Sequence, residues 1–417
     1  MNSVGSRKIL HLKLGPLFMQ KVAVLSPLRY RSRFVFYHVE SQINFLLKPI
    51  EPDTCVSLIK QCRTLRSLKS VHASILISHL HLNLFFSTNL IAQYASLGSM
   101  SHAYSLFSTF HSKDVFLWNV MIRGFVDNCL YNRSMLLYSQ MRELGIQPDN
   151  FTFPFVLKAC GCVKDVKFGV VVHGNLMEFG YESDVVVGNS LIAMYGKCER
   201  LDISRLVFDK MPQRNVVSWS SMIGAYVQNG HYEEGVLLFS QMLGEGIRPN
   251  RAVILNVMTC VYRENEADGV CRVVIDNKLD FDRSVQNAAM VMYARCGRID
   301  IARKFFDGIL EKDLVSWSSM IEAYAQADLP LEALELFKQM IVQRILLDFV
   351  TLLSVIRACS NLASFQQARF IHGFITRRFS KNQIAPETAL IDLYVKCGSL
   401  DMEYMAMVGR LSTYLIR

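Results

Sequence analysis

The sequence predicts an all-α solenoid of about eleven helix-turn-helix units stacked side by side. Three interleaved series predict it. Four segments read alike: Thr88-Asn-Leu-Ile-Ala-Gln-Tyr94, Asn189-Ser-Leu-Ile-Ala-Met-Tyr195, Asn287-Ala-Ala-Met-Val-Met-Tyr293 and Thr388-Ala-Leu-Ile-Asp-Leu-Tyr394, with starts spaced 101, 98 and 101 residues. All three tryptophans head a second series, Trp118-Asn-Val-Met-Ile, Trp219-Ser-Ser-Met-Ile and Trp317-Ser-Ser-Met-Ile, spaced 101 and 98 residues. A third series ends in Cys62, Cys160, Cys260 and Cys359. The long period is therefore a triplet of units of about 33 residues.

Each unit reads as two helices. In residues 115–149, Trp118, Met121, Ile122 and Phe125 fall at the i, i+3, i+4, i+7 spacing of one helical face. Asn128 and Cys129 interrupt it, and Ser134, Leu137, Tyr138 and Met141 begin a second face. Gly145 is a C-terminal stop, and Pro148 closes the unit. Residues 216–250 repeat the pattern with Trp219, Met222, Ile223, Tyr226, Leu237, Leu238, Met242, Gly246 and Pro249. Neither helix buries its apolar face alone, whereas stacked neighbours do.

Composition narrows the function. The 417 residues are 51% apolar and 19% charged, which excludes a disordered chain. No stretch reaches 18 uninterrupted apolar residues, so no membrane-spanning helix is predicted. The net charge of +9 is unevenly placed. Residues 1–39 hold seven Lys or Arg and no Asp or Glu, leaving about +2 for the remainder. An affinity built mainly on phosphate neutralisation is thereby excluded. The basic, acid-free segment 1–39 reads as an organelle transit peptide, followed by a linker at 40–51. Its Arg content with modest Ser favours the mitochondrion, with the chloroplast as the alternative.

Unit lengths of 31, 35 and 35 residues recur in fixed order, with shorter variants of 32. Together with Leu191-Ile-Ala-Met-Tyr-Gly-Lys-Cys198, Val217-Ser-Trp-Ser-Ser-Met-Ile223 and Tyr394-Val-Lys-Cys-Gly398, they resemble the plant pentatricopeptide repeat (PPR) family, PLS subclass, in which P, L and S repeats alternate. The resemblance covers residues 52–400 and implies a right-handed α-solenoid. L repeats fall at 52–83, 150–184, 251–282 and 349–383. S repeats fall at 84–114, 185–215 and 283–313 and from 384. P repeats fall at 115–149, 216–250 and 314–348. Residues 401–417 read as the degenerate end of the last repeat, without the E and DYW extensions of many PLS proteins.

The resemblance implies binding of single-stranded RNA, one base per repeat. Bases would stack between apolar residues at the starts of first helices: Phe85, Phe116, Val186, Val217 and Val315. The fifth and last residues of each repeat would choose the base by hydrogen bonding. Thr88 with Asp114 resembles the pair for G, and Asn119 with Asp149 that for U. Asn189 with Asn215 fits C, with U as a second fit, and Ser220 with Asn250 fits A. Asn287 with Asp313 fits U, and Ser318 with Asp348 fits G. The L repeats present Pro154, Leu255 and Leu353, with Asp184, Asp282 and Gln383, and receive no letter. The implied target is 5′-G-U-x-C-A-x-U-G-x-3′.

Each set has a plainer reading. The phased tryptophans are expected in the core. Polar residues at helix starts are also favoured N-caps. Cysteines repeated once per triplet read as buried packing residues, and His72, His173 and His372 as packing or surface residues of the L repeats. No Cys-x-x-Cys occurs, and His38-Val-Glu40 lacks the cysteine half of a zinc deaminase signature. The sequence thus predicts a binder and not an enzyme, with no cofactor, metal or small-molecule substrate. Its expected partners are organellar RNA and, in trans, a deaminase-bearing protein and small editing cofactors. A protein-binding helical scaffold, and a truncated inactive product of an editing-factor gene, are the rival readings.

Overall fold

Paired helices follow one another along the chain in a computed structural model, which describes residues 51–378, 390, 391 and 393–397. The expectations for residues 1–50, Gln383, Thr388 and 398–417 lie outside the described residues. The described residues contain no strand. They fall into two compact units divided between Cys129 and Leu130.

The first unit holds α1 (Pro52–Gln61), α2 (Leu65–Ile77), a 3-10 turn (Leu80–Leu82), α3 (Leu84–Ser96), α4 (Met100–Thr109) and α5 (Val115–Asp127). The second begins with α6 (Tyr131–Glu143), α7 (Thr152–Val163), α8 (Val166–Glu178), α9 (Val185–Lys197) and α10 (Leu201–Lys210). It continues through α11 (Val216–Gln228), α12 (Tyr232–Gly244), α13 (Arg251–Cys260), α14 (Glu264–Asp276) and α15 (Arg283–Arg295). It then runs through α16 (Ile299–Gly308), α17 (Leu314–Gln326), α18 (Pro330–Val342), α19 (Phe349–Leu362) and α20 (Phe365–Arg378). The expected all-α helix-turn-helix array is the observed fold.

Odd-numbered helices are the first helices of the repeats. Within the first unit α1, α3 and α5 stack in order, and within the second α7 through α19 do the same. Second helices wedge between first helices; α10, for example, touches both α9 and α11. Within each unit the apolar stripe of an interior first helix is thus covered on both sides. In the second unit one continuous buried cluster runs from Ile192 to Tyr394.

The tryptophans are core residues, as expected. Trp118, Trp219 and Trp317 are buried, and each meets the edge of a phenylalanine from the preceding second helix. The pairs Phe107–Trp118, Phe208–Trp219 and Phe306–Trp317 have centroids 5.0, 5.0 and 5.1 Å apart with rings nearly perpendicular. This edge-to-face geometry satisfies the aromatic quadrupoles. Neighbouring first helices also approach closely. A Cβ added at Gly196 would lie 2.5 Å from Ala225 Cβ, so only glycine fits where α9 crosses α11.

The cysteine series is buried too, and burial pushes the Cys160 and Cys359 thiols up to about 12 and Cys260 to about 11. Such thiols are small hydrophobes, not nucleophiles. The three-residue deficit of the short L repeats falls in the first helix and its turn. α13 has 10 residues and leaves through an extended Val261, whereas α7 has 12 and ends on a left-handed Lys164.

Histidines at equivalent places in three L repeats hydrogen-bond the tyrosine of the next first helix. The Nδ1–OH distances are 3.0 Å for His72–Tyr94, 2.9 Å for His173–Tyr195 and 2.9 Å for His372–Tyr394. At the matching place in the remaining L repeat, 251–282, stands Cys271, and Tyr293 instead donates to Asp268 at 2.7 Å. Burial holds the three histidines below the ordinary range, with the His102 and His81 charges adding to the effect on His72. A folded pKa below the unfolded one means the unfolded chain gains protons first as pH falls. The stability these groups contribute is present above the ordinary histidine pKa of about 6.5 and is lost as pH drops through it. Thermal melts at about pH 7.5 and about pH 5.5 should therefore show a fall on acidification. The triple variant His72→Gln, His173→Gln, His372→Gln should show a smaller one.

Candidate nucleic-acid interface

The first helices of the P and S repeats present the same three elements at their starts: a capping residue, a second residue near the surface and a recessed fifth residue. The caps come from the last residue of the preceding repeat. Asp114 Oδ1 accepts from Leu117 N at 2.9 Å, and Asp149 Oδ1 from Phe151 N and Thr152 N at 3.0 and 2.9 Å. Asn215 Oδ1 accepts from Val217 N and Ser218 N at 3.0 and 3.1 Å, and Asn250 Oδ1 from Val253 N at 3.0 Å. Asp313 Oδ1 and Asp348 Oδ1 accept from Ser316 N and Thr351 N, each at 2.9 Å. These satisfy orphan donors of the first turn. The capping reading therefore holds for the last residue of each of the six P- and S-repeat pairs. Base reading by these residues would use the second carboxylate oxygen or the amide nitrogen.

The second residues Phe85, Phe116, Val186, Val217 and Val315 lie in first turns and are 48–63% exposed. Phe151 and Val350, at the same place in two L repeats, are exposed as well. They belong to the same series, and the phase of the repeat marks them although the sequence reading passed over them. Large apolar side chains left in water at a fixed place in successive repeats form a surface suited to flat, apolar partners.

The fifth residues of the P and S repeats are recessed. Thr88, Asn119, Asn189 and Asn287 are buried, and Ser220 and Ser318 half-buried. Thr88 and Ser318 donate their hydroxyls back to the helix, to Leu84 O at 2.7 Å and Val315 O at 3.2 Å. Asn189 Oδ1 and Asn287 Oδ1 have no hydrogen-bond partner. A buried acceptor without a donor costs about 1–3 kcal/mol. In the L repeats Pro154 and Leu255 are half-buried and Leu353 is exposed.

Asn287 and Asp313 are brought to one place, lining the same surface hollow. Burial opposes ionisation of Asp313, but the Ser316 amide and hydroxyl, the Arg283 guanidinium and Asn287 outweigh it and hold the carboxyl below its usual range. With Ser284, Val315 and Arg295 the pair lines a surface hollow of about 330 Å³. No hydrogen bond joins Asn189 to Asn215 or Ser220 to Asn250. Asn119 lies in the first unit and Asp149 in the second. No cluster of three or more His, Cys, Asp or Glu side chains able to hold a metal occurs among the described residues.

The PPR repeat family model matches residues 113–162 and 214–253, and the PPR repeat model matches 189–216 and 315–345. Pentatricopeptide repeat-containing protein At4g25270, chloroplastic, of Arabidopsis thaliana is 32% identical over 364 residues, covering 86% of this chain and 68% of the relative. The chain belongs to the pentatricopeptide repeat family. Another relative from the same plant, At1g11290, chloroplastic, is 33% identical over 349 residues, covering 82% of this chain but 43% of its own length. This PPR chain thus spans less than half of that relative. The crystal structure of pentatricopeptide repeat protein PPR10 in complex with an 18-nt psaJ RNA element shares the fold. Its TM-score is 0.60 at 17% identity, over 94% of this chain and 56% of that one.

Replacing Asp313 with Ala should cost about 1 kcal/mol in chemical denaturation through loss of the α17 cap. Asp313→Asn keeps an accepting oxygen and should cost only a few tenths.

Proposed function

We propose that this PPR protein binds single-stranded RNA in an organelle, one base per repeat, and recognises a cytidine editing site for a deaminase supplied by another protein. The observation that carries the reading is the hollow at Asn287 and Asp313. It combines an unpartnered buried acceptor, an ionised carboxylate and the exposed Val315 at one place. A nucleobase matches that set: its faces are apolar and its edge carries donors and acceptors. The side-chain oxygen left alone at Asn189 and Asn287 is what a base N–H would complete.

Residues after Val39 carry about +2 in net charge, so selectivity would come from the bases rather than the phosphates. The phased alternation of unit lengths supports the PLS reading. The solvent exposure of Leu353 suits the docking of small editing cofactors on L repeats. The chain itself supplies a binding surface and no catalytic step. The acid-free segment 1–39 supports import, with the mitochondrion preferred and the chloroplast the alternative.

Binding to an RNA carrying GUxCAxUGx is compared with binding to a scrambled RNA of equal composition, which fixes the phosphate number. A preference of at least about tenfold, roughly 1.4 kcal/mol, is expected. Asp313→Asn should move the preference at the seventh nucleotide from U towards C. Equal weak binding to both RNAs contradicts the reading and favours a protein-binding array.

A further inference from the structure

The row of exposed apolar second residues is broken at two successive repeats. From α3 to α19 these residues are Phe85, Phe116, Phe151, Val186, Val217, Ala252, Ser284, Val315 and Val350. Only Ala252 and Ser284 offer no large apolar face. The first residues of the same repeats are Leu84, Val115, Asn150, Val185, Val216, Arg251, Arg283, Leu314 and Phe349. An arginine stands at just the two repeats that lack the apolar face.

The structure holds these arginines in place. Arg251 Nη2 donates to Ser284 Oγ at 2.7 Å, and its Nε lies 3.5 Å from Asp282 Oδ2. The guanidinium is thereby tethered at the second residue of the next repeat, where the apolar face is missing. Arg283 Nε lies 3.3 Å from Asp313 Oδ2, and its Nη1 donates to Glu311 O at 3.3 Å. Both side chains remain about half exposed, at 55% and 51%. Ser284, Asp313 and Val315 line the hollow described above.

We propose that Arg251 is a base-stacking residue, its guanidinium plane replacing the missing apolar face at Ser284 for the nucleobase read by Asn287 and Asp313. This rests on the RNA-binding reading above. A base in that hollow has Val315 on one side and Ser284 on the other. The planar, delocalised guanidinium stacks on nucleobases, and an ammonium does not reproduce that face. Its bonds to Ser284 and Asp282 fix its orientation in advance, so little freedom is lost on binding. Arg283 takes the positioning role beside it, because its ion pair engages the second oxygen of Asp313.

The test uses the full chain and three RNAs: the intact register, the same strand abasic at the seventh nucleotide, and the same strand abasic at the fourth. Wild type should bind the seventh-abasic strand about tenfold more weakly than the intact one. Arg251→Lys should bind the intact strand about fivefold more weakly than wild type does, yet bind the seventh-abasic strand as wild type does. Its melting temperature should be unchanged, since half-exposed ion pairs contribute little. Undiminished binding of the intact strand by Arg251→Lys overturns the proposal. So does Arg251→Ala weakening the intact and seventh-abasic strands equally, which marks a phosphate contact or a structural tie. Wild type indifferent to the fourth abasic site, opposite Asn189 and Asn215, would instead overturn the base-reading function itself, and this inference with it.

Discussion

Side-by-side contact between first helices is the constraint on which the rest of the structure depends. A two-helix unit leaves an apolar stripe uncovered, and only a neighbour at close range covers it. Gly196 against Ala225 sets how near two such helices come, and the Phe208–Trp219 edge contact sets how the intervening second helix wedges between them. Within the second unit the same geometry recurs at Phe306–Trp317. Once the spacing of first helices is fixed by packing, the spacing of their starts is fixed as well. The exposed second residues and recessed fifth residues then recur at a constant interval without any further device.

The caps link that scaffold to the proposed chemistry. An Asp or Asn between repeats closes the first turn of the next helix with one oxygen. The rest of the same side chain stays at the rim of the site. Asp313 combines the cap with the proposed reading position: its Oδ1 is held by Ser316, its Oδ2 lies beside Arg283, and it lines the hollow together with Asn287 of the neighbouring first helix. A residue fixed by capping is oriented before any ligand arrives, so structural and recognition roles reinforce one another.

Much of this was legible in the sequence because the repeat supplies its own internal alignment. The phase of Trp118, Trp219 and Trp317 placed them in the core, and the phase of Cys160, Cys260 and Cys359 did the same for small buried residues. Gly145 and Gly246 marked helix ends, and both adopt the left-handed backbone that such ends use. What escaped were interactions between residues about one repeat apart whose partners have no sequence signature. The tie of Arg251 to Ser284 crosses 33 positions, and the His173–Tyr195 bond crosses 22. The division of labour between capping and reading was also hidden, because Asp and Asn satisfy both patterns and only the oxygen positions separate them. Phe151 and Val350 were within reach of the phase argument, since they occupy the second place of their repeats.

The central claim is that base seven of the register lies in the hollow formed by Asn287, Asp313 and Val315. Photocrosslinking with 4-thiouridine at that single position, followed by peptide mapping, tests it most directly. The account predicts one dominant crosslink at the starts of α15 and α17, which moves to the start of α5 when the label is shifted to the second nucleotide. Crosslinks on second helices, or a spread over many repeats that ignores the label's position, would contradict it.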